Sequence, residues 1–431
     1  MKFNKWTLGL AAVGAVSMAS AVRADEAKLS SVQTALSNTT ISGYVSASAN
    51  WQLTPGGGSS GNYTGYGAPS GNYNNGIANS PGGQIPLQSG KANGFNLDVV
   101  KLSISKAQDE SPWASGYNVD LLFGPDAVGW NPSANSYGQS DFAIQQAYIA
   151  LRTPVGNGID WKVGVFNTVI GYESFDAGSN PNYTRSWGWA VEPTEHTGVL
   201  GSYKVNDEWS FSAGVANTLS AGINTRNDYS TSNGSAWHKT VMGSVTFNAP
   251  SNWGWASGSA FYAGMVYGFN SASDTTGDQY RQGGNQGNYY AGATLNSPWK
   301  NVTFGAAFDY VQNLGGYSVD AVGPISLHAD DYIWGLYNTI KASDKLSFNS
   351  RAEYWEVDAK SGASLGSDGG IALTETVEYD LWANVVSRLE VRYDKVVNSD
   401  YYSEAGYILP TGVSIDKSSS VGIYANLVYK F

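Results

Sequence analysis

The chain has 431 residues, with 52 Gly, 28 Tyr, 15 Trp, no Cys and a formal net charge of −11. An acid excess of this kind excludes a general nucleic-acid binder, which needs a basic footprint, and the lack of Cys excludes disulfides, thiolate metal sites and thiol catalysis. Only 14% of residues are charged and mean hydropathy is −0.26; beyond the amino terminus no run reaches the roughly twenty apolar residues of a spanning helix, so any crossing of a bilayer must use strands.

The amino terminus reads as a secretory signal: Lys2 and Lys5, then the apolar stretch Trp6 to Ala21, then small-residue cleavage options after Ala21 or Ala24. Cleavage after Ala24 gives a signal peptide of residues 1–24. Loss of Lys2, Lys5 and Arg23 leaves 21 basic against 35 acidic residues, a mature charge of −14. Residues 25–39 place Leu29, Val32 and Leu36 at helical spacing, consistent with a short helix or a frayed periplasmic lead-in.

From Thr40 the chain is all-β. Extended segments recur at 40–53, 95–107, 116–124, 142–152, 159–172, 196–204, 209–219, 240–248, 257–269, 288–296, 302–312, 330–342, 346–356, 371–383, 387–396 and 418–431. Their number is about sixteen, and most run near the nine to eleven or so residues of a tilted bilayer-crossing strand. The connections alternate in length. Thr153 to Gly158, Val205 to Glu208, Ala249 to Ala256, Ser297 to Asn301, Ser343 to Lys345 and Asn384 to Val386 are short, and long loops lie between them. That alternation predicts a transmembrane antiparallel up-and-down β-barrel over 40–431, with short periplasmic turns and long external loops.

Within the strands, Trp209, Phe211, Ala213 and Val215 alternate with Ser210, Ser212, Gly214 and Ala216, and Leu346, Phe348, Ser350, Ala352 and Tyr354 alternate with a set containing Asn349, Arg351 and Glu353. A greasy outside and an ionic inside imply a wet lumen, because unpaired charges are costly to bury dry. Trp51, Trp161, Trp209, Tyr310, Tyr354, Tyr393 and Tyr429 fall near strand ends, where interfacial girdles form. Three places break the pattern: Glu375 and Asn338 land on the apolar face, and 95–104 changes phase at Val99 and Val100. Each implies a bulge, a rim position or a different register. The last segment, SSSVGIYANLVYKF, keeps its alternation to the terminal Phe431, and its apolar face of Val421, Ile423, Ala425, Leu427, Tyr429 and Phe431 resembles the signal by which outer-membrane barrels present their closing strand to the barrel-assembly machinery. Ile423, Ala425, Leu427, Tyr429 and Phe431 are the assembly-signal candidates.

Residues 145–206 carry a family resemblance. The order QAYI, a Pro/Gly turn, KVGVF, GYE, NPNYTRSW and HTGVLGSY is similar to the beta-barrel porin-2 family of outer-membrane proteins, which implies a passive channel in a Gram-negative-type outer membrane. In sixteen-stranded diffusion porins the loop after the fifth strand folds inward. By that resemblance Glu173, Asp176, Arg185, Glu192, Glu195 and His196 are the pore-constriction candidates, with an outward solvated loop as the other option. The lumen-wall candidates are Arg351, Arg388, Arg392 and Lys430 with Glu353, Glu378, Asp380, Glu390 and Asp394, read first as cross-strand ion pairs that stiffen the wall.

The charge-free stretch Gln52 to Gly90, which repeats Gly-Asn-Tyr, reads as an external loop, with a sugar-admitting vestibule as the sharper alternative. Only His196, His238 and His328 are present, and His328-Ala-Asp330-Asp331 is the one cluster to weigh for metal or hydrolytic chemistry. No cofactor, no metal and no enzymatic activity are expected. The expected partners are outer-membrane lipids, the assembly machinery, small hydrophilic solutes or ions and further copies of the chain, with a homotrimer preferred over a monomer. A non-conducting barrel serving as receptor, adhesin or anchor is the alternative function.

Overall fold

A computed structural model describes residues 39–53, 94–130, 142–219, 223, 239–270, 284–320, 323–361, 366–399 and 419–431. The expected signal peptide, nearly all of the expected lead-in, the neutral stretch from Thr54 to Gly90 and His238 lie outside them. In chain order the strands are β1 Thr39–Gln52, β2 Gly94–Lys106, β3 Ser115–Phe123, β4 Phe142–Thr153, β5 Ile159–Asn167, β6 Glu195–Lys204, β7 Trp209–Ala216 and β8 Thr240–Asn248. They continue with β9 Ala260–Asn270, β10 Gly284–Asn296, β11 Val302–Asp320, β12 Gly323–Lys341, β13 Leu346–Ser361, β14 Gly366–Trp382, β15 Val385–Ser399 and β16 Ser419–Lys430. Each pairs antiparallel with its neighbours in sequence, and β1 pairs with β16, from Tyr44 opposite Lys430 to Gln52 opposite Gly422, so the sheet is a closed sixteen-stranded barrel. Closure is completed by the terminal residue: Phe431 N–H donates to the Gly43 carbonyl, and Gly43 N–H to the Phe431 carbonyl, both at 2.9 Å. No sheet edge remains among the paired strands.

The period-two pattern explains the facing. On β13, Phe348 and Tyr354 are exposed on the outside while Asn349, Arg351 and Glu353 are buried inside. The outer rims carry the aromatics: Tyr289, Tyr310, Tyr332 and Trp334 run as a stacked belt across β10 to β12. Short turns carry their own chemistry. Asn384, with φ 64°, sits in the two-residue link between β14 and β15, and Asn206 Oδ1 accepts from the Glu208 and Trp209 amides before β7.

The structure departs from the sequence pattern in four places. β5 ends at Asn167 rather than 172, because the chain turns into the barrel there. The hairpins β11–β12 and β13–β14 run well beyond the expected ends, so 313–320 and 323–329 are strand rather than loop. The phase change in β2 is a register shift: Ser46 pairs with Val99 but Ala47 with Leu97, which leaves Asp98 as the extra residue, pointing inward. Asn338 and Glu375 are true outward positions, paired with Phe304 and Val391 respectively and both with Ser350.

Candidate functional site

The link between β5 and β6, residues 168–194, crosses the inside of the barrel and is tied to the wall along its length. Asn180 folds its first part into a compact turn, its Oδ1 accepting from Ser174 N–H at 2.9 Å and its amide donating back to the Ser174 carbonyl. Gly171 permits the entry bend: its φ of +112° is left-handed, and a Cβ there would collide with the Glu192 carboxyl. A single helical turn, α1 (Trp187–Val191), is capped by Ser186, whose Oγ accepts from Trp189 N–H at 3.0 Å.

Polar anchors fix the loop to β13–β16 on one side and to β1–β2 on the other. Arg351 is the hub. It donates to Glu173 at 2.8 Å, to the Thr184 carbonyl and hydroxyl at 2.8 and 2.9 Å, and to the Arg185 carbonyl at 3.2 Å, and it pairs with Glu353 at 2.9 Å. The Arg351 and Glu353 side chains have no exposed surface and Glu173 has 1%. Glu390 accepts from the Tyr183 and Thr184 amides, Glu353 from the Trp187 amide, and Asp394 from the Trp187 indole. Arg388 donates to the carbonyls of Ala177 and Asn180, Arg392 to that of Arg185, and Lys430 to that of Gly178. Asp176 reaches Lys101 of β2 at 2.6 Å, and the Tyr183 hydroxyl donates to Asp98 at 3.0 Å.

Apolar packing supplies the remaining grip. Val169, Ile170 and Tyr172 pack with Phe166, Leu200, Met242, Val266, Tyr290 and Tyr337, and the Tyr172 and Tyr337 rings stack at 4.0 Å. Trp187 and Val191 pack with Val311, Ile333, Trp355 and Ala372. Phe175 and Ala177 lie against a third cluster containing Tyr44, Leu122 and Val428. At its far end Glu192 is buried beside Asp309; burial first, and then the neighbouring Asp309 carboxylate, push its carboxyl well above the ordinary range.

The candidate residues therefore divide by what they touch. Of the loop set, Glu173 and Glu192 are buried against the wall, Asp176 keeps 40% of its side chain exposed, and Arg185 folds back on its own loop through the Phe175 carbonyl and the Trp189 ring. Glu195 and His196 belong to β6; both are fully buried, His196 facing Thr168 at 3.1 Å. Of the wall set, Arg351, Glu353, Glu390 and Arg392 lie sealed behind the loop, whereas Glu378, Asp394 and Lys430 keep partial access and Asp380 is exposed at the periplasmic end. Arg388 with Glu378, at 2.7 Å, is an ion pair between directly paired strand positions. The other wall cations spend their donors mainly on the loop or on a residue two places along their own strand, a role that cross-strand pairing did not anticipate. For these charges the expectation of a uniformly wet lumen does not hold, because pairing replaces water.

Asn349, placed inward by the alternation of β13, donates to the Pro181 carbonyl of the loop; Lys101, Asp98, Asn182 and Thr376 also hold the loop and were not singled out from sequence; placing the β2 bulge would have exposed the first two as inward residues. Lys162 on β5 was missed too. It points inward with its ammonium 4.9 Å from the Tyr148 ring, and no carboxylate lies within ion-pair distance among the described residues. Of the residues following His328, Asp330 accepts from Tyr310 on the outer face while Asp331 points inside, so these two carboxylates do not share a site.

Residues 38–431 match the family model described as "Putative beta-barrel porin-2, OmpL-like". The chain belongs to this family. No curated protein matches it, but porin structures share its fold. The outer membrane channel DcaP of Acinetobacter baumannii is 13% identical with a TM-score of 0.53, covering 91% of this chain and 97% of that one. Salmonella typhi OmpF, in complex with daunomycin, is 12% identical with a TM-score of 0.53 and the same coverages. The trimer form of Vibrio cholerae OmpT is 13% identical with a TM-score of 0.52, covering 91% and 99%. The porin is accordingly a bacterial outer-membrane barrel, with its apolar belt in lipid. Family and fold are those of a channel rather than an enzyme.

Proposed function

We propose that this porin is a passive channel for small hydrophilic solutes, narrowed by residues 168–194, and that it prefers cations. The observation that carries this is the division of charges around the loop. The buried ions are consumed in holding it, while the candidates that water reaches are Asp176, Glu378, Asp380 and Asp394 against Lys430, with Lys162 further along the wall. A surplus of one sign beside the narrowest segment sets ion preference. Assembly as a homotrimer fits the trimer form of the OmpT neighbour.

Single-channel recording of detergent-purified mature protein in a planar bilayer tests the proposal. Stable ohmic steps with a cation-selective reversal potential in a salt gradient are expected. Inserted, folded protein without steps would overturn it and favour the receptor or anchor function, for which the three apolar clusters that pack the loop against the wall are the supporting observation.

A further inference from the structure

At the neck of the inward loop the barrel leaves a buried carboxylate unsatisfied. The loop departs after Asn167, the last residue of β5, and returns at Glu195, the first of β6, and these two residues are directly paired. Just beyond them the Thr168 N–H donates to the Thr194 carbonyl at 3.0 Å, so Asn167 and Glu195 are a pair without mutual backbone hydrogen bonds. In such pairs the Cα atoms lie about 4.5 Å apart and the two side chains leave the same face of the sheet.

That face is the outer one. By alternation along the strands, Asn167 follows Val163 and Val165, and Glu195 precedes Thr197 and Val199. Val163 and Val199 are exposed, at 38% and 42%, but toward the rim the surface closes over: Val165 is 6% exposed and Glu195 0%. Neither carboxylate oxygen of Glu195 has a hydrogen-bond partner, and the side-chain carbonyl of Asn167 has none either. On β4, two residues beyond Ala147 opposite Val165, Gln145 is 1% exposed and its Oε1 likewise meets no donor.

A carboxylate taken out of water is tolerated when it is paired or bound to a metal ion. The side chains at this neck bring acceptor oxygens from three adjacent strands and no donor to match them. A donor set of one carboxylate and neutral carbonyls suits a hard cation. Calcium takes about six to eight oxygen ligands in irregular geometry, accepts a bidentate carboxylate and uses amide carbonyls, whereas magnesium demands a near-ideal octahedron and keeps several waters. The buried setting of Glu195 favours calcium.

We propose that Glu195 and Asn167, with Gln145 of β4 as a further donor, bind a calcium ion at the neck of the loop. The ion ties the strand that the loop leaves to the strand that it rejoins. The site lies on the outer side of the wall, apart from the ion pairs that dock the loop inside, and it requires nothing of the conducting function.

The test uses the mature barrel refolded in detergent, so that no lipopolysaccharide accompanies it, stripped of divalent ions by a chelator and titrated with calcium chloride. Equilibrium dialysis with radioactive calcium counts the bound ion, and tryptophan fluorescence follows thermal unfolding. Wild type is expected to hold a single high-affinity ion per chain and to unfold at a higher temperature with calcium than with chelator. Glu195→Gln, close to isosteric, and Asn167→Leu should each weaken binding roughly tenfold or more and lose the calcium-dependent rise. Asp109→Asn, in the exposed turn between β2 and β3, should keep both. Wild type without stoichiometric calcium would overturn the proposal and leave Glu195 a buried neutral acid. Undiminished binding in folded Glu195→Gln would place the ion elsewhere and overturn it as well.

Discussion

Replacing Arg351 with Met should release the lumen loop while leaving the barrel closed. In the wild type the guanidinium lies between Glu173 and Glu353, all three side chains being at most 1% exposed. Its removal leaves Glu173 buried without its cation and Glu353 with only Arg392, at 3.8 Å, and orphans the hydrogen bonds to Thr184 and Arg185. Taking one partner out of a buried ion pair costs about 3–5 kcal/mol. Near 1.4 kcal/mol per decade, this raises the undocked fraction of the loop roughly 150- to 5,000-fold. The loop supplies its own reporter, since Arg185 is the only basic residue between 168 and 194. Trypsin cleavage after Arg185 in the folded, detergent-purified barrel should accelerate by a comparable factor while the loop opens and closes faster than it is cut. The neutral variant Arg351→Met/Glu173→Gln/Glu353→Gln should recover much of the protection. Cleavage at Arg185 no faster in Arg351→Met than in wild type would refute the idea that this ion cluster anchors the loop.

Other outcomes can be checked with the same preparation. Asp176→Asn combined with Glu378→Gln should lower cation preference, seen as a reversal potential shifted toward zero in a salt gradient. Glu192 is buried in the docked loop with its carboxyl raised mainly by burial, so docking binds a proton that the free carboxyl gives up above its ordinary value of 4.5. Docking is therefore strongest below about pH 4.5 and weakens as pH climbs toward the raised value; trypsin sensitivity at Arg185 should increase with pH in wild type and less steeply in Glu192→Gln, once corrected for the protease's own pH profile. Deleting Phe431 removes both hydrogen bonds to Gly43 and should reduce the fraction of heat-modifiable, folded protein on cold denaturing gels several-fold. An unchanged fraction would exclude the terminal residue as an assembly determinant.

The barrel was legible in the sequence because its two solvents are so different. Lipid outside and polar groups inside impose a period-two signal on strands such as β7 and β13, and turns on one rim stay short because hairpins need few residues. The loop was less legible. Its position after the fifth strand could be carried over from a resemblance, but its partners could not, since Arg351 and Glu173 are 178 residues apart and nothing local links them. Asp98 and Lys101 were hidden by a single extra residue in β2, which shifts every side chain beyond it to the other face. Glu375 and Asn338 looked like errors of register; the pairing shows them to be real outward positions, and a sequence pattern has no means of separating the two cases.

The inward loop also bears on how the cylinder comes to be closed. Its segment from Asp176 to Asn180 touches four strands around the place where the chain's two ends meet: Tyr44 on β1, Lys101 on β2, Arg388 on β15 and Lys430 on β16. The two strands that meet there are the most distant in sequence, with Ser46 and Asn426 separated by 380 positions, so their encounter bears the largest chain-entropy cost of any pairing in the molecule. A segment from the inner part of the chain, held by β2 and presenting carbonyls to Arg388 and Lys430, links the two sides of that seam through two shorter chain separations. The loop is thus a strap across the inside of the seam, joined to both strands that close it and to the strand on either side of them.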